Sequence, residues 1–231
     1  MTNKPDWYYD DVRQVGLDFD SHSEVATYDD RQQTSSTEDA RLLDDLMTGS
    51  DRVCADIGCG TGILACEAAR RFDHVHAIDV SSSMLDVARQ RAAAKDLSNL
   101  SFHHAGFMNF DLPTESVDLI ATKFALHHLP DLWKGVALTR IRNALKPGGR
   151  LFLRDVVFSC SPNEFADVAE DWSAWMEANT GYSREEAACH IREEYSTYAW
   201  VLEGLIRSAG LRLERATYDG RAYGDFLAVR E

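Results

Sequence analysis

From residue 52 onward, short apolar runs alternate with helix-patterned stretches. A chain that repeats strand then helix lays its strands side by side in a parallel sheet with helices packed on the faces. The runs at 52–57, 74–79, 100–103, 117–122 and 150–157 are too short for helices and rich in β-branched residues, so five parallel strands are predicted. Two later runs, 211–218 and 225–230, flank a turn holding Gly220 and Gly224. So few residues separate them that they must pair antiparallel. Between the fifth and sixth strands lies a helical insertion at about 159–209. Capping boxes at Ser161/Glu164 and Ser183/Glu186 open its two halves. The first half carries Trp172, Trp175 and Met176 on a stripe read as core. The second half is read as one helix from Ala187 through Ile191, Tyr195, Tyr198 and Leu202, stopped by Gly210. Residues 1–36 have no sustained period and read as an arm or lid ahead of a domain at 37–231, whose first helix runs from about Thr37 to Gly49.

At 231 residues the chain suits one elaborated domain, and its 45% hydrophobic and 27% charged content excludes disorder and small disulfide scaffolds. No apolar run approaches a membrane span, and the polar start lacks the apolar stretch of a secretory signal, so a cytoplasmic protein with reduced cysteines is expected. The net charge of −14 is concentrated at the two ends: residues 1–50 carry −8, residues 159–231 carry −7, and the middle is nearly neutral. Such a field repels phosphate, which argues against nucleic-acid and anionic-membrane partners.

Asp56-Ile57-Gly58-Cys59-Gly60-Thr61-Gly62 lies between the first strand and the helix that follows it. Glycines there let the backbone turn tightly and let a ligand approach at the carboxyl end of the strand, where doubly wound sheets bind ligands. Their G-x-G-x-G spacing departs from the dinucleotide fingerprint, which wants glycine where Ile63 stands, and from a phosphate loop, which needs Gly-Lys-Ser/Thr. Asp79, 23 residues after Asp56, ends the second strand. A carboxylate at that place accepts from vicinal ribose hydroxyls or, alternatively, caps the next helix.

These residues resemble the class I S-adenosylmethionine-dependent methyltransferases. Further motifs carry the likeness: Ala77-Ile78-Asp79-Val80-Ser81, Phe124-Ala125-Leu126-His127-His128-Leu129-Pro130 and Leu145-Lys146-Pro147-Gly148-Gly149-Arg150-Leu151. The pattern is most similar to the small-molecule branch (type 11) that includes quinone-biosynthesis enzymes. The resemblance implies a Rossmann-like, seven-stranded, mostly parallel α/β sheet in the order 3-2-1-4-5-7-6 with strand 7 antiparallel. It further implies S-adenosyl-L-methionine as cofactor and S-adenosyl-L-homocysteine as product. The cofactor would lie against Asp56, Gly58, Cys59, Gly60 and Gly62, with its ribose on Asp79 and its adenine near Val80 and Met84. The family usually places an acidic residue after the third strand to meet the adenine. This chain has Ala105-Gly106-Phe107-Met108 there, with Phe107 either on the ring or in the core. Thr122, Lys123 and Phe124 would pass the methionine portion by main chain.

Methyl transfer from a sulfonium is an in-line displacement that asks the protein to align the acceptor and, where needed, remove a proton. His127 and His128 are the candidate bases, only one of which is expected to face the pocket. The alternative is that their motif simply packs against the cofactor. His190 and Glu194 have metal-compatible spacing but no third ligand in the sequence, so no metal is expected and the pair is read as a solvated helix face. Tyr28, Asp155, Glu194 and Tyr195 are candidate acceptor-site residues, and the acidic flanks suggest a cationic or neutral small molecule. The competing functions are a tRNA or protein methyltransferase, and a non-catalytic S-adenosylmethionine-binding partner or sensor. Neither the acceptor nor the oligomeric state is legible.

Overall fold

The computed structural model describes residues 5–12, 25, 28, 29, 31 and 35–231. After helix α1 (Ser36–Leu46) come strand β1 (Val53–Ile57), α2 (Ile63–Ala68), β2 (His74–Asp79), α3 (Ser82–Ala94), β3 (Leu100–His104) and β4 (Val117–Lys123). A 3-10 turn at Leu126–His128 leads to α4 (Asp131–Ala144) and the long β5 (Leu145–Phe158). The insertion follows with α5 (Phe165–Asn179), α6 (Arg184–Glu193), β6 (Thr197–Tyr198) and α7 (Ala199–Ser208). The hairpin of β7 (Leu211–Asp219) and β8 (Tyr223–Arg230) closes the fold.

The sheet runs β3-β2-β1-β4-β5-β8-β7, parallel through β5, with β8 antiparallel to both of its neighbours. That is the expected seven-strand order. A two-residue eighth strand, β6, adds to it by pairing parallel with Val157 and Phe158 at the end of β5.

Side chains alternate across each strand and so feed two cores. Ala55, Ile120 and Leu151 face α4 and α7, where Leu138, Ile141, Leu202 and Ile206 are buried. Cys54, Leu119 and Phe152 face the other way, toward Leu43, Ala65 and Leu85 of α1 to α3. A third, smaller core joins Trp172, Val168 and Ala187 of the insertion to Val156 and Phe158. Both predicted capping boxes form, Ser161 with Glu164 and Ser183 with Glu186.

One helix is shorter than its periodicity predicts. The stretch from Ala187 to Gly210 breaks after Glu193 because tertiary hydrogen bonds replace the next helical turn. Tyr195 N–H donates to the His127 carbonyl at 2.8 Å, the buried Lys134 ammonium donates to the Tyr195 carbonyl, and the chain runs extended as β6 before α7 begins. No helix among the described residues is long and apolar enough to cross a membrane.

Candidate active site

The carboxyl ends of β1, β2 and β4 meet where doubly wound sheets place ligands. Gly58, Gly60 and Gly62 all have positive φ (+75°, +51° and +78°). At Gly58 the lack of a side chain is also steric, because a Cβ there would come 2.3 Å from the Ala125 Cβ. Gly62 serves the helix behind the loop instead: a Cβ on it would meet Ala88 at 2.7 Å, and it lies outside the cavity walls.

Asp79 Oδ2 accepts from Gly60 N–H at 2.7 Å and Oδ1 from Ser81 N–H at 2.8 Å. This carboxylate borders a cavity of about 90 Å3 lined by Gly58, Gly60, Asp79, Val80, Met84, Gly106, Phe107 and His128. The helix cap considered for Asp79 falls to Ser81, whose side chain accepts from Met84 N–H. Beneath the loop a smaller cavity of about 50 Å3 is lined by Asp56, Cys59, Lys123 and Asp39. Lys123 does not point to solvent; it pairs with the buried Asp39 at 2.5 Å. Burial, and then the negative charge of Asp39, push the Asp56 carboxyl up to about 7.

The position after β3 shows what the sequence reading missed. A Cβ on Gly106 would sit 2.2 Å from the Asp11 carboxylate, so the arm places an acid where residue 106 lacks one. Asp11 Oδ2 accepts from Met108 N–H at 2.8 Å. Its segment is held by Tyr8 OH on the Met108 carbonyl, Tyr9 OH on the His128 carbonyl, and the rings of residues 7–9 packed around Trp133.

A second cavity, about 570 Å3, opens between the sheet edge and the insertion. Its walls are aromatic: Tyr28, Phe124, Trp172, Trp175, Tyr182 and Tyr223. The Trp172–Met176 stripe therefore faces a cavity as well as core, and Trp175 remains 47% exposed. Tyr28, Phe124 and His128 belong to the walls of both large cavities. Phe124 sits there at φ +52°, a conformation bulky side chains seldom adopt.

Both histidines line this second cavity, contrary to the expectation of one, their ring centroids 4.3 Å apart on the 3-10 turn. Both ring nitrogens of His127 face carboxylates, Nδ1 to Asp155 at 2.5 Å and Nε2 to Glu194 at 3.3 Å. Burial alone would push His127 down, but Asp155 and Glu194 outweigh it and hold the imidazole up at about 9. His128, pushed down to about 3 by burial and by the adjacent His127, stays neutral.

Asp155 and Tyr195, expected in the acceptor site, are placed differently. Asp155 is buried behind His127 and reaches the cavity only through it. Tyr195 serves through its backbone, and its partly exposed ring is not in the wall. The Thr122 side chain is buried under the site at 1% exposure, which leaves the main chain as its route of contact. Glu194 does line the cavity, but with His190 it faces inward rather than presenting a solvated helix face, because the helix ends there and turns both groups onto His127.

A doubly wound sheet of this order, with an acidic β2 terminus over a glycine loop and a cavity beside it, defines a class I S-adenosylmethionine-dependent methyltransferase. Residues 54–149 match the family model described as a methyltransferase domain. The chain is 31% identical over 186 residues to an uncharacterized methyltransferase of Geobacillus kaustophilus, spanning 80% of this chain and 81% of the relative. It is 29% identical over 232 residues to the 27-O-demethylrifamycin SV methyltransferase of Amycolatopsis mediterranei, spanning 88% and 83% respectively. A SAM-dependent methyltransferase structure from Aquifex aeolicus superposes with a TM-score of 0.67 at 19% identity, covering 91% of this chain and 99% of that one. The chain belongs to the S-adenosylmethionine-dependent methyltransferase family, and S-adenosylmethionine is its cofactor.

Proposed function

We propose that the enzyme methylates a hydroxyl oxygen on a neutral, ring-bearing small molecule held in the aromatic cavity. The observation that carries this reading is the shared wall: Tyr28, Phe124 and His128 border the cofactor cavity and the larger cavity at once, so a molecule in the second can reach a methyl presented from the first. The Amycolatopsis relative is named for an O-methylation of a small molecule, which supports an oxygen acceptor. The wall carboxylates do not favour a cationic acceptor. Glu186 pairs with Arg31, Asp225 with Arg154, and Glu194 with two histidines, while Asp219 sits at the exposed rim.

S-adenosylmethionine, when bound, supplies a methyl group on a positively charged sulfur, and displacement at that carbon needs neither a metal nor a covalent enzyme intermediate. Asp79 would take the ribose hydroxyls, Val80, Met84 and Phe107 the faces and edges of the adenine, and Asp11 its amino group in place of the acid missing at Gly106. Asp56, Asp39 and Lys123 frame the charged amino-acid end. The aromatic wall orients the acceptor ring and excludes water, and the neutral His128 imidazole accepts a hydrogen bond from the acceptor hydroxyl, which turns the oxygen toward the methyl group.

The test is incubation with S-adenosylmethionine and a panel of phenols, alcohols and amines, following S-adenosylhomocysteine release and acceptor mass. Turnover with hydroxylated aromatics, lost in His128→Ala while cofactor-induced thermal stabilisation persists, is expected. Turnover confined to amines would overturn the oxygen assignment.

A further inference from the structure

The wall of the acceptor cavity contains a constellation for which the proposed methyl transfer has no use. His127, His190 and Glu194 each offer one ligand atom, and those atoms all lie within 4.8 Å of one another. His127 Nε2 stands 3.3 Å from Glu194 Oε2, and His190 Nδ1 meets the same oxygen. The outer nitrogens are already engaged: His127 Nδ1 with Asp155 Oδ1 at 2.5 Å, and His190 Nε2 with Ser196 Oγ at 2.7 Å. Asp155 is itself fixed by the backbone N–H groups of His127 and Val156, both at 2.9 Å. Two imidazoles thus have their outer edges anchored and their inner nitrogens turned on a carboxylate. Positive charge must sit where these inner atoms converge, supplied either by shared protons or by a metal ion.

We propose that His127, His190 and Glu194 hold a divalent transition-metal ion in the acceptor cavity. A hydrogen bond from the far nitrogen of a ligating imidazole to a carboxylate is how proteins commonly orient such a ligand, and Asp155 provides it here. Two imidazoles and one carboxylate suit zinc, cobalt or iron better than magnesium or calcium, which prefer all-oxygen sets. Three protein ligands leave further coordination positions, and these face the 570 Å3 cavity. The ligand class that fits is a chelating pair of neighbouring oxygens on the acceptor. That acceptor class rests on the proposed methyl transfer, whereas the metal site does not.

The experiment uses the full chain, stripped with a chelator and titrated with Co2+ and with Zn2+. One equivalent is expected, with visible Co2+ absorption bands that acetohydroxamate, a bidentate oxygen probe, shifts. His190→Ala and Glu194→Gln should each weaken binding by at least about tenfold, with metal-free melting curves checking that both fold. His76→Ala, in the separate His74/His76/His103 group at the sheet edge, should bind as the wild type does and so excludes that group as the source. Asp79→Ala should keep the metal while losing S-adenosylmethionine, so the two readings fail separately. Absence of stoichiometric binding, or wild-type affinity in both His190→Ala and Glu194→Gln, overturns the site. Bands unmoved by acetohydroxamate overturn the chelating acceptor.

Discussion

The two cavities are built in opposite ways. The cofactor cavity is framed chiefly by backbone and by the ends of adjacent strands: two positive-φ glycines, Gly58 and Gly60, the N–H groups of Gly60 and Ser81, and a carboxylate held between them. The acceptor cavity is framed by side chains drawn from the arm, the β4–α4 turn, the insertion and the terminal hairpin, segments far apart in sequence. A backbone-built pocket tolerates few substitutions because its shape is the path of the chain. A pocket built from side chains can be reshaped residue by residue without disturbing the sheet. Damage to the first should therefore reach folding and all activity, and damage to the second should reach only the acceptor.

Gly58→Ala should have the largest effect. A Cβ at φ +75°, 2.3 Å from Ala125, combines backbone strain with overpacking, for a loss of about 2–4 kcal/mol, read as a lower melting temperature together with lost cofactor binding. Gly148→Ala is the control. It has a similar φ of +76° but open space around the new methyl, so strain alone should cost about 1 kcal/mol.

Asp79→Ala should leave the fold largely intact yet abolish the stabilisation by S-adenosylmethionine, which is about 2.7 kcal/mol for the wild type at a hundredfold excess over Kd. A retained thermal shift would break the assignment of the ribose to Asp79.

Asp56 gives the cofactor half a pH signature. Its carboxyl titrates near 7 in the native protein and at 3.8 by reference. The native state therefore holds the proton more tightly, and this group's contribution to stability falls as pH rises from about 4 to 7, then levels off. Melts of the cofactor-free protein across that window should show the decline, by a few degrees, and Asp56→Asn should flatten it.

Asp11→Ala sharpens the comparison, since Asp11 brings a carboxylate of the arm into the cofactor pocket, which the arm also lines with Tyr28. About tenfold weaker S-adenosylmethionine binding by calorimetry, near 1.4 kcal/mol, is expected; unchanged affinity would return adenine recognition entirely to the sheet. Trp175→Ala should be mildest. This exposed ring lines only the acceptor cavity, so stability should change by less than about 1 kcal/mol, cofactor affinity should hold, and the acceptor KM should rise several-fold.

The glycine loop, Asp79 and the strand order were legible because each follows from local pattern: alternation of short apolar runs, glycine where φ is positive, an acid at a strand end. The metal-like constellation was only half legible, since His190 and Glu194 share a helical spacing but His127 lies some sixty residues away. Asp11 was invisible, because nothing in the spacing of residues 5–12 relates them to Gly106. The break at Glu194 was hidden as well. The apolar period runs on through Tyr198 and Leu202, and the helix ends where the Tyr195 N–H donates to the His127 carbonyl and the Tyr195 carbonyl accepts from Lys134.

The sequence by itself determined a doubly wound sheet with a nucleoside site, because those features are written in periodicity and backbone conformation within a few residues of one another. Only the tertiary structure decided what stands across from the cofactor. The acceptor wall, the pairing of its carboxylates and the convergence of two histidines on Glu194 all depend on how segments separated by tens to hundreds of residues close over one sheet edge.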